Sequence, residues 1–110
     1  MPIPFRSDLV PFLEEFVEQH RGLRLGRMFG LPAGYAGRKL FACLIEDGVM
    51  MLLPTERARD EIRTRRARPY EKFRPKPGGA WVVYRPASAV AARRLAPLLE
   101  LAARHAAQRK

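Results

Sequence analysis

Arg27-Met28-Phe29-Gly30, the loop Leu31-Pro32-Ala33-Gly34-Tyr35-Ala36-Gly37, the run Leu40-Phe41-Ala42-Cys43-Leu44-Ile45, the turn Glu46-Asp47-Gly48 and the run Val49-Met50-Met51-Leu52-Leu53 decide the fold. Two β-type runs joined through Asp-Gly are the strongest short-range hairpin signal, because such a turn needs positive φ that Gly and Asp tolerate. With Asp47 and Gly48 as the central pair, Ile45 faces Met50, Leu44 faces Met51 and Cys43 faces Leu52. Both faces of this hairpin are apolar, so one wet face does not fit. The hairpin belongs inside a sheet that is covered on both sides, by the chain itself or by a partner.

Outward from the hairpin, apolar residues set the remaining elements. Leu9, Phe12, Leu13, Phe16, Val17 and His20 recur at three- and four-residue spacing and predict an N-terminal helix capped by Ser7 or Asp8 and stopped at Gly22. Leu23 to Phe29 reads as a first strand. The Pro/Gly-rich loop 31–37 reads as irregular, a tight connection into the second strand. A second helix is expected over roughly Glu56 to Ala67, resting on Ala58 and Ile62, with Asp60–Arg63 and Glu61–Arg65 pairs along it. Tyr70 and Phe73 suggest a short edge strand. Ala80 to Tyr84 reads as a strand with Trp81, Val83 and Arg85 on one face and Val82 and Tyr84 on the other. Ser88 caps a last helix whose stripe is Leu95, Leu98, Leu99, Ala102 and Ala106, and which Pro97 forces to begin properly near Ala96. The expectation is a single α+β domain over residues 1–110. It has two layers and a five-stranded, mostly antiparallel sheet in the order α-βββ-α-ββ-α.

The same residues carry a family resemblance. Met28-Phe29-Gly30-Leu31-Pro32-Ala33-Gly34, Leu40-Phe41-Ala42-Cys43 and Leu52-Leu53-Pro54-Thr55 are similar to the N-terminal domain of the TfoX/Sxy family. So are Phe73-Arg74-Pro75-Lys76-Pro77-Gly78-Gly79 and Val82-Val83-Tyr84-Arg85-Pro86, in that order. The motif positions are Met28, Phe29, Gly30, Phe73, Pro75, Gly78 and Tyr84. The resemblance implies a small domain, often dimeric, without a known reaction. Its namesakes regulate natural competence with the cyclic-AMP receptor protein at promoters, so a transcription regulator is an implied partner. The second domain of the full-length competence regulators has no counterpart here, and Leu53 stands where many relatives place a basic residue.

Charge adds a second theme. Residues 1–55 hold six basic and six acidic side chains, whereas residues 56–110 hold fifteen and five and carry the whole net +10. An anionic partner is one explanation, nucleic acid first, with Arg57, Arg59, Arg63, Arg65, Arg66, Arg68 and Arg74 as contacts. The other is compositional: seventeen Arg against four Lys, with many Ala and Pro, is what a GC-rich coding sequence produces. No helix-turn-helix, zinc-finger or aromatic RNA-binding motif accompanies the arginines, so any nucleic-acid binding is expected to be weak and unspecific.

Catalysis needs a nucleophile with a base, paired carboxylates or a metal cluster. The two histidines lie 85 positions apart, and the lone Cys43 sits in an apolar run. No cofactor or metal is expected and the chain is not expected to be an enzyme. One cysteine fits a reducing cytoplasm. The segment Met1-Pro2-Ile3-Pro4-Phe5 does not read as a signal peptide, and no apolar run is long enough to span a membrane. The leading expectation is a regulatory protein-interaction domain acting as a homodimer.

Overall fold

The computed structural model describes residues 3–73 and 78–108, so Arg74 and Pro75 of the expected sites lie outside the described residues. The elements run α1 (Val10–Glu18), β1 (Leu23–Met28), β2 (Leu31–Ala36), β3 (Lys39–Leu44), β4 (Val49–Pro54), α2 (Thr55–Arg63), β5 (Arg68–Pro69), β6 (Gly79–Tyr84), α3 (Ala89–Ala92) and α4 (Ala96–Gln108). The fold is α+β, as expected. The sheet has six strands rather than five, in the order β1-β2-β3-β4-β6-β5, with every neighbouring pair antiparallel.

The additional strand is β2, the segment expected to be an irregular loop. Its Pro32 faces Arg27. With Met28–Leu31 closing the two-residue turn, that pair is not hydrogen-bonded, so no bond to β1 is lost, and on the other side the pairing of β2 with β3 starts one residue later, at Ala33–Cys43. Gly34 admits the Phe41 ring, since a Cβ there would lie 2.7 Å from Phe41 Cζ. The pairing slips by one between Gly34 and Tyr35, leaving Phe41 as the bulged residue of β3. The bulge turns both Phe41 and Ala42 toward the helices, in one buried cluster.

The β1–β2 turn has Phe29 at φ 52° and Gly30 at φ 83° as its central residues. Positive φ at both positions suits the twist of a two-residue hairpin, but only Gly is relaxed there. Phe29 carries about 1–2 kcal/mol of left-handed strain while its side chain is 78% exposed.

The β3–β4 turn differs from expectation by one position. Ile45 and Gly48 close it with reciprocal backbone bonds of 2.8 and 3.3 Å, so Glu46 and Asp47 are the central pair. Cys43 therefore faces Met50 and Leu44 faces Val49. Moving the turn by one residue shifts cross-strand partners by two, which keeps every side chain on its expected face. Gly48 has no positive φ. It is required because a Cβ would lie 2.1 Å from the Tyr84 carbonyl oxygen of β6.

Helices α1, α2 and α4 lie on one face over Phe41, Leu44, Met51, Leu53, Val82 and Tyr84. The other face buries Leu31, Cys43, Met50, Leu52, Trp81 and Val83, and no helix of the described residues packs on it. Phe5, Tyr70 and Phe73 pack against it, with Phe73 edge-on to both Tyr70 (5.3 Å) and Trp81 (5.5 Å). The short edge strand is Arg68–Pro69, and Tyr70 follows it, donating its N–H to Trp81. Both apolar faces of the central hairpin are thus covered by the chain itself, and the coverage that suggested a homodimer is supplied internally.

The helix ends follow local chemistry. Asp8 pairs with Arg6 at 2.7 Å instead of capping, and a short 3-10 turn over Ser7–Leu9 leads into α1. Ser88 is a helix cap, accepting from the Ala91 N–H at 3.1 Å, but it caps the four-residue α3 rather than the last helix, and α4 starts at Ala96 with Pro97 in its first turn. Among the described residues no helix is long and apolar enough to cross a membrane.

Candidate anion-binding groove

Helix α2 stops at Arg63 rather than continuing to Ala67. Arg65 donates to the Ile62 carbonyl at 3.0 Å and Arg66 to the Glu61 carbonyl at 2.9 Å, the two bonds of a Schellman ending. That ending needs a left-handed residue, and Arg65 fills the place at φ 62°. Arg65→Gly is therefore expected to raise stability by about 1 kcal/mol, read as a higher urea midpoint. An unchanged or lower midpoint would mean that the Arg65 side chain contributes as much as its backbone costs.

The reversal brings α2 against β5 and β6 and opens a groove of about 510 Å³. Its floor is Ile62, Ala67, Pro69 and Val83, and its rim is Arg65, Arg66, Arg68 and Arg85. A separate cleft of about 620 Å³ beside Ile45 and Tyr70 is larger, but its rim mixes Glu46, Asp47 and Glu71 with Arg68 and Lys72. Mixed signs cancel at short range, whereas the groove's own lining carries one sign over apolar side chains. Arg66 and Arg68 are paired to carboxylates outside it, and Arg65 and Arg85 are in no ion pair among the described residues.

The arginines expected as anion contacts separate into two groups. Arg63 pairs with Asp60, and Arg68 pairs with Asp47 across the sheet edge. Arg57 lies 3.6 Å from Glu61, and Arg66 donates to Glu61 at 3.1 Å and lies 3.6 Å from Asp60. Among the described residues Arg59, Arg65 and Arg85 form no ion pair. Of the described members of the expected set, Arg65, Arg66 and Arg68 enter the groove, and Arg57, Arg59 and Arg63 do not line it. Arg85 was not among the expected anion contacts, although its alternation already placed it on the Val83 face, and it lines the groove beside Val83.

The group holding α2 in place is Glu61, expected on the helix surface and paired with Arg65. It is instead 1% exposed, and its Oε1 accepts the Tyr84 hydroxyl at 2.6 Å. Its spacing of three from Ala58 was the available signal, because it shares that residue's face. Burial alone would raise its carboxyl. The Tyr84 hydrogen bond, the Arg66 hydrogen bond and charge and the Arg57 charge outweigh that, so Glu61 ionises below the usual range. Burial first, and the adjoining carboxylate second, push the Tyr84 hydroxyl far above the usual tyrosine range.

Two more of the described motif residues are structural in different ways. Met28 packs against the helix-free face, and Gly78 takes φ 76° while its carbonyl accepts the first N–H of α2, from Thr55, at 3.1 Å. Cys43 is buried and its thiol is pushed up to about 12 by desolvation, which keeps it protonated at neutral pH. His20 bonds the Phe16 carbonyl at 2.7 Å and stacks on the Phe16 ring, a packing role. Comparison with known proteins adds no name to this arrangement: no family model, no curated protein and no solved structure matches the chain.

Proposed function

We propose that this chain is a non-enzymatic regulatory interaction domain whose groove between α2 and β5 holds an acidic segment of a partner protein. The carrying observation is the apolar floor of Ile62, Ala67, Pro69 and Val83 beneath four guanidiniums. A floor of that kind fits an apolar side chain set between carboxylates, and the arginine rim suits planar anion recognition. The TfoX/Sxy resemblance, which rests on the residues quoted above, points to a transcription regulator as the partner class.

The test is affinity capture from the native cell by the purified chain and by an Arg65→Glu/Arg85→Glu variant, followed by mass spectrometry. These two arginines have no ion-pair partner to lose, so the fold is expected to persist. The proposal expects an acidic regulatory protein that the native chain retains and the variant releases. Identical captures by both chains would overturn it.

A second reading is weak nucleic-acid binding, favoured by the exposed, unpaired Arg59 outside the groove in addition to Arg65 and Arg85. It expects a dissociation constant for duplex DNA of about 10⁻⁴ to 10⁻⁶ M at physiological salt, steeply weakened by added salt. Arg65→Ala/Arg85→Ala should then flatten the salt slope by about two phosphate contacts. Arg66 is a poor choice for this test, because removing it also strips a donor from buried Glu61. Negligible binding at physiological salt would leave the protein-partner reading alone.

A further inference from the structure

We infer that the open edge of β1 is a second docking surface, which takes an extended acidic segment of a partner protein as an added strand. This surface lies at the opposite edge of the sheet from the groove and does not depend on it.

The two edges are finished differently. Strand β5 is two residues long and contains Pro69, both ordinary ways of keeping an edge from pairing. Strand β1 is six residues long, contains no proline and pairs with β2 in unbroken register. With Met28 and Leu31 closing the turn, the backbone groups of Leu23, Leu25 and Arg27 point away from β2. Tyr35 takes one of them, donating its hydroxyl to the Arg27 carbonyl at 2.9 Å. The remaining outward groups form an unfilled ladder, the template that strand addition uses.

Charge selects the occupant. Between residues 19 and 45 the sequence has no Asp or Glu, while Arg21, Arg24, Arg27, Arg38 and Lys39 all fall there. The neutral first half of the chain is therefore a basic hairpin flanked by acidic segments. A second copy paired edge to edge would bring two such arms together, and like charges across a ladder are unfavourable. A segment alternating carboxylates with apolar side chains matches both the arginines and the exposed Leu25.

Phe29 supplies the anchor at the tip of the same hairpin. It bears left-handed strain and exposes its ring, two costs that Asn at this position would remove. Strain retained at an exposed aromatic is explained by a contact made outside the chain.

The experiment uses the full chain and a capped synthetic peptide alternating glutamate with valine, followed by backbone amide shifts. Binding is expected at millimolar peptide or below, with shifts centred on Leu23 to Phe29 and not on residues 62–69. A peptide N-methylated at alternate residues, which cannot complete the ladder, and a lysine–valine peptide should each lose binding at least tenfold. Leu25→Pro removes one outward donor without touching the β1–β2 bonds, and should weaken binding by a similar factor. Phe29→Asn should raise the melting midpoint while weakening binding, a combination that a purely structural residue would not give. Absence of binding by the acidic peptide overturns the inference. So do equal binding of the N-methylated peptide, shifts confined to residues 62–69, stronger shifts of β1 with a DNA oligonucleotide, or β1-mediated self-association in sedimentation. Shifts confined to residues 62–69 would support the groove, so the two proposals fail separately.

Discussion

Gly48→Ala is expected to destabilise the protein by about 3 kcal/mol, the upper end of what overpacking usually costs. The added methyl would meet a backbone oxygen, that of Tyr84, at 2.1 Å. A backbone oxygen has no rotamer to retreat into, and this one stands where the β4–β6 ladder begins at Val49–Tyr84. Relief requires the turn or the end of β6 to move, and moving Tyr84 disturbs its bond to Glu61. Urea unfolding should show a lower midpoint with an unchanged slope. A loss below about 1 kcal/mol would mean that the turn yields freely and that the close approach is not a constraint. Gly48→Val should cost at least as much through the same contact. Left-handed strain, the cause expected from an Asp-Gly central pair, plays no part.

Tyr84→Phe is expected to cost about 2 kcal/mol, since it removes a hydrogen bond to a charged, buried acceptor and leaves Glu61 under-satisfied. The pH dependence carries a clear sign. Glu61 titrates below its ordinary value of 4.5 in the folded protein. Its contribution is therefore fully present above that value and is lost as the pH falls through the lower, folded one. Tyr84 titrates above its ordinary value of 10.0, so its contribution holds at neutral pH and declines as the pH rises beyond that value. Melting midpoints measured across pH should fall at both ends in the native chain. The Phe variant should lose the alkaline decline due to this tyrosine and show a shallower acid decline. Superimposable pH profiles for the two chains would refute the coupling.

Much of the fold was legible because burial follows simple periodicities. The α1 stripe, the opposite faces of Trp81–Val83 and Val82–Tyr84, and the start of α4 at Ala96, just before Pro97, all follow from spacing and proline chemistry. Strand β2 was hidden because Pro32 and Gly34 normally argue against a strand. Each is tolerated for a non-local reason, an unbonded register position in one case and the Phe41 ring in the other. The turn at Glu46–Asp47 was displaced from Asp47–Gly48 because the glycine answers a contact from β6, 36 residues later in the chain. Since the displacement preserves every face, hydrophobic patterning had no means of detecting it. Glu61 was obscured for a related reason. A carboxylate on an apolar helix face reads as surface until its tyrosine partner arrives from another strand.

The placement of α4 has a consequence for the order in which the chain is made. Strands β1 to β4 are consecutive hairpin neighbours and can pair as they leave the ribosome, with only short loops to close. Their helix-facing side depends on α4, which packs on β2, β3 and β4 yet is the final element described. A nascent chain carrying the four-stranded meander but ending before Ala96 would display Leu44, Met51 and Leu53 to solvent without their cover. Such a ribosome-bound intermediate should bind a hydrophobic dye or a holdase chaperone until Leu99, Ala102 and Ala106 emerge. Stalled chains that bind neither would show that α1 and the remaining segments shield the meander unaided. For this fold, the time between synthesis of Leu53 and of Ala106 is the interval of greatest exposure to aggregation.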